Sequence, residues 1–595
     1  MWRRQRGAPG APRAHPRGVA RALLAAALLA AAGPARAGAG VEVVPGALSF
    51  GTASSLDKLR PGDPLPPGRA IDLAAARGEC GSAQIAIRAD RPLAALAAET
   101  AALAGPSSIA PALYRVATID LAAPSGPEGA AGPWPDPLVP VRDAFFGEPR
   151  RAFPVAVPAG RLQAIWVELC VPPDAAPGHY RGAVRLADGA RALGEVPVRL
   201  EVWPFALPAT STTTVTFGLP TRLGTKALGR PDDPELARAL AAALLRHRVS
   251  PHGLSYDPPY GRCTTQGCAL DWSAYDAEVG PILDGTLVPG VRGTFADVRV
   301  TARDWQAPQA DQVALLRAWR EHFQARGWAD ALWLYTLDEP KPSDLPALAR
   351  RARAARKANV RVFVTSVPAP ELAGLVEAWA PNVLFFDGKR AASFEGERRA
   401  GPGGWDGRPF WYASCMSHGC DELPAAGRER MARAFTGWPG YEVDRPGASA
   451  RALGWLAERA GVAGELYYDS IAAWSGDPWR SVRAFAGNGD GTLLYPGRPA
   501  QLGGVHPFPV ESIRLKLVRE AIEDRELAAL ARRLGLGALV DRLAARLVPS
   551  LRGFPREAGP WLAAHDELGR AVARALAATD GAADGRRAPA ARRER

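Results

Sequence analysis

The strongest constraint on this chain is a change in hydrophobic rhythm about a third of the way along it. Residues 39–205 read as all-β. Apolar and polar residues alternate through 83–88, 162–169 and 196–202, the period of a strand with one face buried. Turn residues such as Pro172-Pro173-Asp174 and Pro177-Gly178 separate them. Short alternating strands between such turns predict a β-sandwich. Residues 204–213, with Pro208 and Thr210-Ser211-Thr212-Thr213, read as a linker.

Beyond the linker, apolar β-rich segments alternate with helical ones. The candidate strands are 214–219, 249–254, 298–301, 332–337, 360–366, 383–387, 409–414 and 465–470. Amphipathic stretches at 233–248, 311–326, 345–357 and 511–533 supply helices. Asp232 or Asp233 is positioned to cap the first of them. Eight strands alternating with helices predict a (β/α)8 TIM barrel over 206–535. Residues 536–578 read as a C-terminal helical extension and 579–595 as a disordered tail.

Charge carries less information than its total suggests. The net +12 invites a nucleic-acid partner, but seven arginines and no acids lie in residues 1–38. The last sixteen residues hold another +2, so about +3 is left for the rest. With no basic patch there, binding driven by phosphate neutralisation is disfavoured. The N-terminal arginines precede an apolar run, Ala22 to Ala32, and a small-x-small site, Ala35-Arg36-Ala37. That pattern predicts a signal peptide over 1–38, hence a secreted or periplasmic protein. An uncleaved anchor is the alternative, but the run is short for a span. The mature chain should hold no stable membrane span.

The six cysteines fit export. Their spacing suggests local bridges Cys263–Cys268 and Cys415–Cys420, with Cys80–Cys170 joining the N-terminal region, although fifteen pairings are possible. Zinc, with His252 or His418 as further ligands, is the competing reading.

A (β/α)8 barrel places its site at the C-terminal strand ends. The residues there are His252 and Tyr256, Tyr335 with Asp338 and Glu339, Asp387, Trp411 and Tyr412, then Tyr468, Asp469 and Trp474. Carboxylates move protons and flat aromatic faces pack against sugar rings, so this rim suggests carbohydrate chemistry. No Walker-type phosphate loop and no HExxH helix occurs. Asp338 and Glu339 stand out. Neighbours on a strand point apart, but at a strand end the chain turns and both can face one site. As acid then base, Glu339 would serve a leaving oxygen and an attacking water. Burial and the neighbouring charge of Asp338 would favour its acid form. Asp338 would hold a substrate acetamido N–H, so that the acetamido oxygen attacks C1 in place of an enzyme nucleophile. The plainer alternative has Asp338 capping a helix and Glu339 solvated. Trp411 and Tyr412 could equally fill the barrel interior, and Asp444-Arg445 reads as a structural ion pair.

Several stretches together resemble glycoside hydrolase family 123 and its relatives, the group labelled DUF4091. They are Tyr335-Thr336-Leu337-Asp338-Glu339-Pro340, Phe410-Trp411-Tyr412-Ala413-Ser414-Cys415, Asp444-Arg445-Pro446, Gly464-Glu465-Leu466-Tyr467-Tyr468 and Asp477-Pro478-Trp479. The most specific is 488–497, followed by Ser512-Ile513-Arg514-Leu515 and Arg519-Glu520-Ala521-Ile522-Glu523-Asp524. Arg77-Gly78-Glu79 resembles the family's sandwich, and the likeness spans roughly 70–535. It implies a retaining exo-β-N-acetylgalactosaminidase acting on terminal sugars of a glycan or glycolipid, without metal or cofactor. Asp338 would then orient the acetamido group and Glu339 act as acid/base. Tyr335, Asp387, Trp411, Tyr412, Tyr468, Asp469 and Trp474 are the candidate substrate contacts. The sequence departs from the family at Tyr468-Asp469-Ser470, where relatives tend to carry a Trp-centred segment, and in the loop 416–422. A conventional retaining glycosidase with Asp469 or Glu465 as nucleophile, or a non-catalytic carbohydrate-binding protein, are the competing functions.

Overall fold

The computed structural model describes residues 48–386, 409–415, 424–485 and 487–584. The expected signal peptide, Asp387 and Cys420 lie outside them. The chain is a multidomain α/β protein, rich in sheet at its N-terminal side and in helix later. The described residues form one compact unit.

Two sheets face each other in the first part. One is antiparallel, in the order Leu48–Ser54, Cys80–Ala89, Gln163–Cys170, Ala112–Leu121, Gly132–Pro140. The other runs through Ile71–Arg77, Arg191–Ala206, Gly178–Asp188, Leu93–Thr100 and Val155–Val157. Alternate residues Ile165, Val167 and Leu169 enter the core between the sheets, against Val184, Leu186, Val198 and Leu200. Cys80 and Cys170 are paired neighbours in register and are disulfide-bonded, as are Cys263 and Cys268.

Eight parallel strands follow in two sheets: β1 Thr214–Gly218, β2 Ser250–His252, β3 Ala296–Asp297, β4 Leu332–Tyr335, β5 Arg361–Val364, β6 Ala378–Trp379, β7 Phe410–Tyr412 and β8 Gly464–Tyr467. Their orders are β2-β1-β8-β7 and β3-β4-β5-β6. Two expected positions need correcting. The run 383–387 does not supply β6; Val383–Phe386 is a 3-10 turn. Pro381 has no N–H to donate, and the Asn382 side chain accepts from the Leu384 N–H at 3.1 Å, so the apolar run coils. β3 ends before 298–301 because Thr301 and Asp304 form a capping box that starts the helix Ala302–Gln306. Asp233 caps the helix Pro234–Leu245 as expected, accepting from Glu235 and Leu236.

The helix Ile513–Arg533 joins the two regions through charge. Its side chains Arg514, Lys516, Arg519, Glu520, Glu523 and Asp524 are all buried. Arg514 forks onto Asp136 at 2.8–3.1 Å, and the Tyr495 hydroxyl donates to the same carboxylate. Glu168 accepts from Lys516 at 3.0 Å and from Arg519 at 2.6 Å. On the other side Arg451 grips Asp524 at 2.6 and 2.8 Å. Glu526 accepts from Ser211 and Thr212, pinning the segment read as a linker. The strand Gln163–Cys170 is therefore covered on both faces, apolar toward the second sheet and charged toward this helix. Asp444 and Arg445 do not pair with each other. Asp444 accepts from Ser125 and Asn488, and Arg445 pairs with Glu128 and Glu442.

The helix Gly559–Asp584 packs Trp561, Ala564, Leu568 and Val572 into the same core. Its His565 lies 3.3 Å from both Glu79 and Asp524. Burial opposes the imidazolium, but these two carboxylates outweigh it and hold His565 up at about 9. A group raised in this way contributes stability that is full below its unfolded pKa and lost as pH rises through about 9. Between pH 7 and 10 the stability difference between wild type and His565→Gln should shrink by roughly 2–3 kcal/mol. Urea unfolding across that range measures it; a constant difference would contradict the assignment.

Candidate active site

The site is built on an aromatic floor. Phe295, Trp333, Phe363, Phe410 and Leu466, from or beside β3, β4, β5, β7 and β8, form one buried cluster. Phe363 meets Trp333 and Phe410 edge to face, at 5.9 and 5.3 Å, while Phe295 stacks on Trp333 at 6.0 Å. Strand alternation brings Tyr335 above Trp333 and Tyr412 above Phe410, and both tyrosines pack on the cluster.

Their hydroxyls point at the carboxylate pair that follows β4. Tyr335 donates to Asp338 Oδ1 at 2.7 Å, and Tyr412 donates to Glu339 Oε1. Thr365, just past β5, completes the arrangement. Its hydroxyl donates to Asp338 Oδ1 at 2.8 Å and accepts the Glu339 N–H at 2.9 Å. Burial and then the adjacent carboxylates raise both tyrosine pKa values far above the usual range, so both stay donors at neutral pH. Asp338 Oδ2 and Glu339 Oε2 take no hydrogen bond from the described residues, and both side chains are exposed. Asp338 caps no helix here. The burial expected around Glu339 is absent from this face.

Glu339 has φ 40°, in the left-handed region. For a non-glycine residue this costs roughly 1–2 kcal/mol, and such strain collects at functional sites. The turn directs two sequence neighbours toward one side, as the dipeptide required.

The other expected contacts divide. Tyr468 follows β8; its hydroxyl is buried with no hydrogen-bond partner among the described residues, and its ring meets Phe485 at 5.2 Å. Asp469 Oδ1 accepts the N–H groups of Ser470 and Ile471, and burial pushes its carboxyl up to about 6. Trp411 is not beside the pair. It is fully buried on the opposite face of β7 from Tyr412, against Phe386 at 5.4 Å. Trp474 is likewise buried, its indole N–H donating to the Leu494 carbonyl. Glu465 points away from Leu466 and accepts from Tyr441 at 2.6 Å, in the outer packing. Asp490 fixes its loop, accepting from Tyr467 and from the Cys415 N–H.

Thr365, inside the expected strand 360–366, gains a place at the pair that the sequence did not assign. His252, expected at the rim without a task, gains contacts. Its Nδ1 lies 2.9 Å from Thr216 Oγ1 and its ring 6.3 Å from Tyr335. Burial depresses it to about 4, so it is neutral at pH 7.

No protein-family model matches this chain, and no curated protein matches it. Among solved structures it is similar to a family 123 glycoside hydrolase from Clostridium perfringens, described for glycolipid glycan hydrolysis. That likeness has a TM-score of 0.62 at 12% identity, covering 90% of this chain and all of the other. A family 39 glycoside hydrolase from Bacteroides cellulosilyticus WH2 aligns at TM-score 0.31 and 10% identity, over 77% of this chain and 82% of its own. By the first of these likenesses the chain shares the fold of a family 123 glycoside hydrolase.

The strained turn yields a test. Glu339→Gly and Glu339→Ala both lose the bond from Tyr412, but only glycine relieves the left-handed backbone, so the Gly variant should be more stable than the Ala variant by about 1 kcal/mol, seen as a higher Tm. A Gly variant no more stable than the Ala variant would mean that the conformation carries no strain.

Proposed function

We propose that this protein is an exported glycoside hydrolase, a retaining exo-β-N-acetylhexosaminidase with N-acetylgalactosamine as its first candidate sugar. The observation that carries the reading is the hydrogen-bonded set Tyr335, Asp338, Glu339, Thr365 and Tyr412, brought together from β4, β5 and β7. The likeness in fold to the family 123 enzyme supports it, and two disulfides fit an oxidising compartment. The two parallel sheets read as arcs of one (β/α)8 barrel. A parallel bridge from Asn382 to Tyr412 and the bond from Ser250 Oγ to the Phe295 carbonyl span the gaps between them.

In this mechanism two donors hold Asp338 Oδ1 and leave Oδ2 to accept the acetamido N–H. The acetamido oxygen then attacks C1 while Glu339 gives its proton to the departing glycosidic oxygen. Glu339 next takes a proton from water, which opens the oxazolinium ring at C1. Two inversions give net retention. Bound sugar would supply the burial around Glu339 that the free site lacks.

Asp338→Asn should lower kcat/KM on an aryl 2-acetamido-2-deoxy-β-galactoside by about 10²–10⁴-fold. Asp469→Asn should change it far less. A thiazoline analogue of the sugar should inhibit. The opposite order of the two variants, without thiazoline inhibition, would replace this reading with a separate nucleophile at Asp469. Glycan binding without turnover, unchanged in Glu339→Gln, would leave a binding protein.

A further inference from the structure

Beyond the ends of β2 and β3 the chain builds a concavity. After β2 it forms a hairpin, Tyr260–Thr264 with Gly267–Asp271, stapled by Cys263–Cys268. After β3 it turns through Arg299 into the capped helix Ala302–Gln306. A cavity of about 600 Å³ lies between them, lined by Tyr260, Arg262, Arg299, Arg303, Gln312 and Trp319 among others. Both walls follow the C-terminal ends of strands, as Asp338 and Glu339 do, and β3 pairs directly with β4. The cavity's Arg299 and the site's Asp338 both act electrostatically on the buried His252 ring, which lies 6.3 Å from Tyr335.

The chemistry of the lining is specific. Tyr260 is 89% exposed, an apolar ring held in solvent by a short stapled hairpin. Arg299 is engaged, paired with Asp297 at 3.2 Å and lying over the Tyr256 ring. The two acids of the wall are engaged as well. Asp304 accepts from Thr301, and Asp311 accepts the Thr265 N–H at 3.0 Å. Arg262 and Arg303 are exposed and have no ion pair among the described residues. The cavity therefore offers one free aromatic face and two free guanidinium groups.

We propose that this cavity seats the leaving part of the substrate, and that the sugar bound there carries an anionic group, a carboxylate or a sulfate ester. Tyr260 packs on the C–H face of that sugar, and Arg262 and Arg303 take the anionic oxygens through charge-assisted hydrogen bonds. The inference rests on the glycosidase reading above, so binding and turnover are measured separately.

Calorimetry on the Glu339→Gln protein uses three disaccharides with a 2-acetamido-2-deoxy-β-galactosyl end: one with a uronic acid as second sugar, its methyl ester, and one with a sulfated neutral second sugar. At least one charged compound should bind about tenfold more tightly than the ester. The advantage should vanish in high salt and in Arg262→Ala/Arg303→Ala, while Tyr260→Ala weakens binding of all three. All of these side chains are exposed, so an unchanged Tm certifies the fold of each variant. Equal affinity for charged and neutral compounds, or an advantage that survives the double arginine variant, overturns the proposal. Charge-selective binding with no turnover by wild type supports the cavity assignment and refutes the hydrolase. Turnover by wild type without charge selectivity does the reverse.

Discussion

The rest of the structure depends on one buried ionic network, in which the helix Ile513–Arg533 gives cations to Asp136 and Glu168 of the sheet-rich region and offers its own Glu523 and Asp524 to Arg248 and Arg451 beyond it. Removing a charged group from water costs several kcal/mol unless it is paired and fully hydrogen-bonded. Arg514 meets that condition with Asp136 and the carbonyls of Tyr441 and Gly489. Glu168 meets it with Lys516 and Arg519. Such a set is not interchangeable, because any lost partner leaves an orphaned charge in the interior. The sheet-rich region and the parallel strands are thereby fixed to each other with a register that apolar packing alone would specify less sharply.

This explains what the sequence made legible. Period-two alternation located the strand Gln163–Cys170, and its apolar face entered the core as expected. The same alternation implied a wet outer face, yet Glu168 is buried. A carboxylate on a solvated strand and one aimed at a buried Lys516 look identical in one dimension, since the partner lies far along the chain. For the same reason Asp444 and Arg445 looked paired by adjacency, while each bonds to the segment around Ser125 and Glu128. Local rules succeeded where the deciding contact was local, as at the Asp233 cap. They failed at 383–387, where one proline and one asparagine diverted an apolar run into a turn.

The candidate site follows the same division. Asp338 and Glu339 were conspicuous as adjacent acids after an aromatic strand. Tyr335 and Tyr412 were readable from strand ends, but Trp411 was expected beside Tyr412 although strand alternation sets the two on opposite faces. Trp411 and Trp474 were misplaced because a tryptophan near a strand end serves packing as readily as binding. Thr365 carried no signal, since its role depends on β5 lying beside β4. The hairpin with Tyr260 also escaped pattern reading, being too short and polar to show a period.

The hydroxyl of Thr365 has a consequence for proton placement. A backbone N–H can only give, so the bond from Glu339 fixes the threonine oxygen as its acceptor. The threonine hydrogen is left to point onward to Asp338 Oδ1, a carboxylate oxygen that can only accept and where the Tyr335 hydrogen also arrives. Two hydrogens thus converge on Oδ1 and Oδ2 stays open to an incoming ligand, so the backbone of one acid helps to set which oxygen of the other is free.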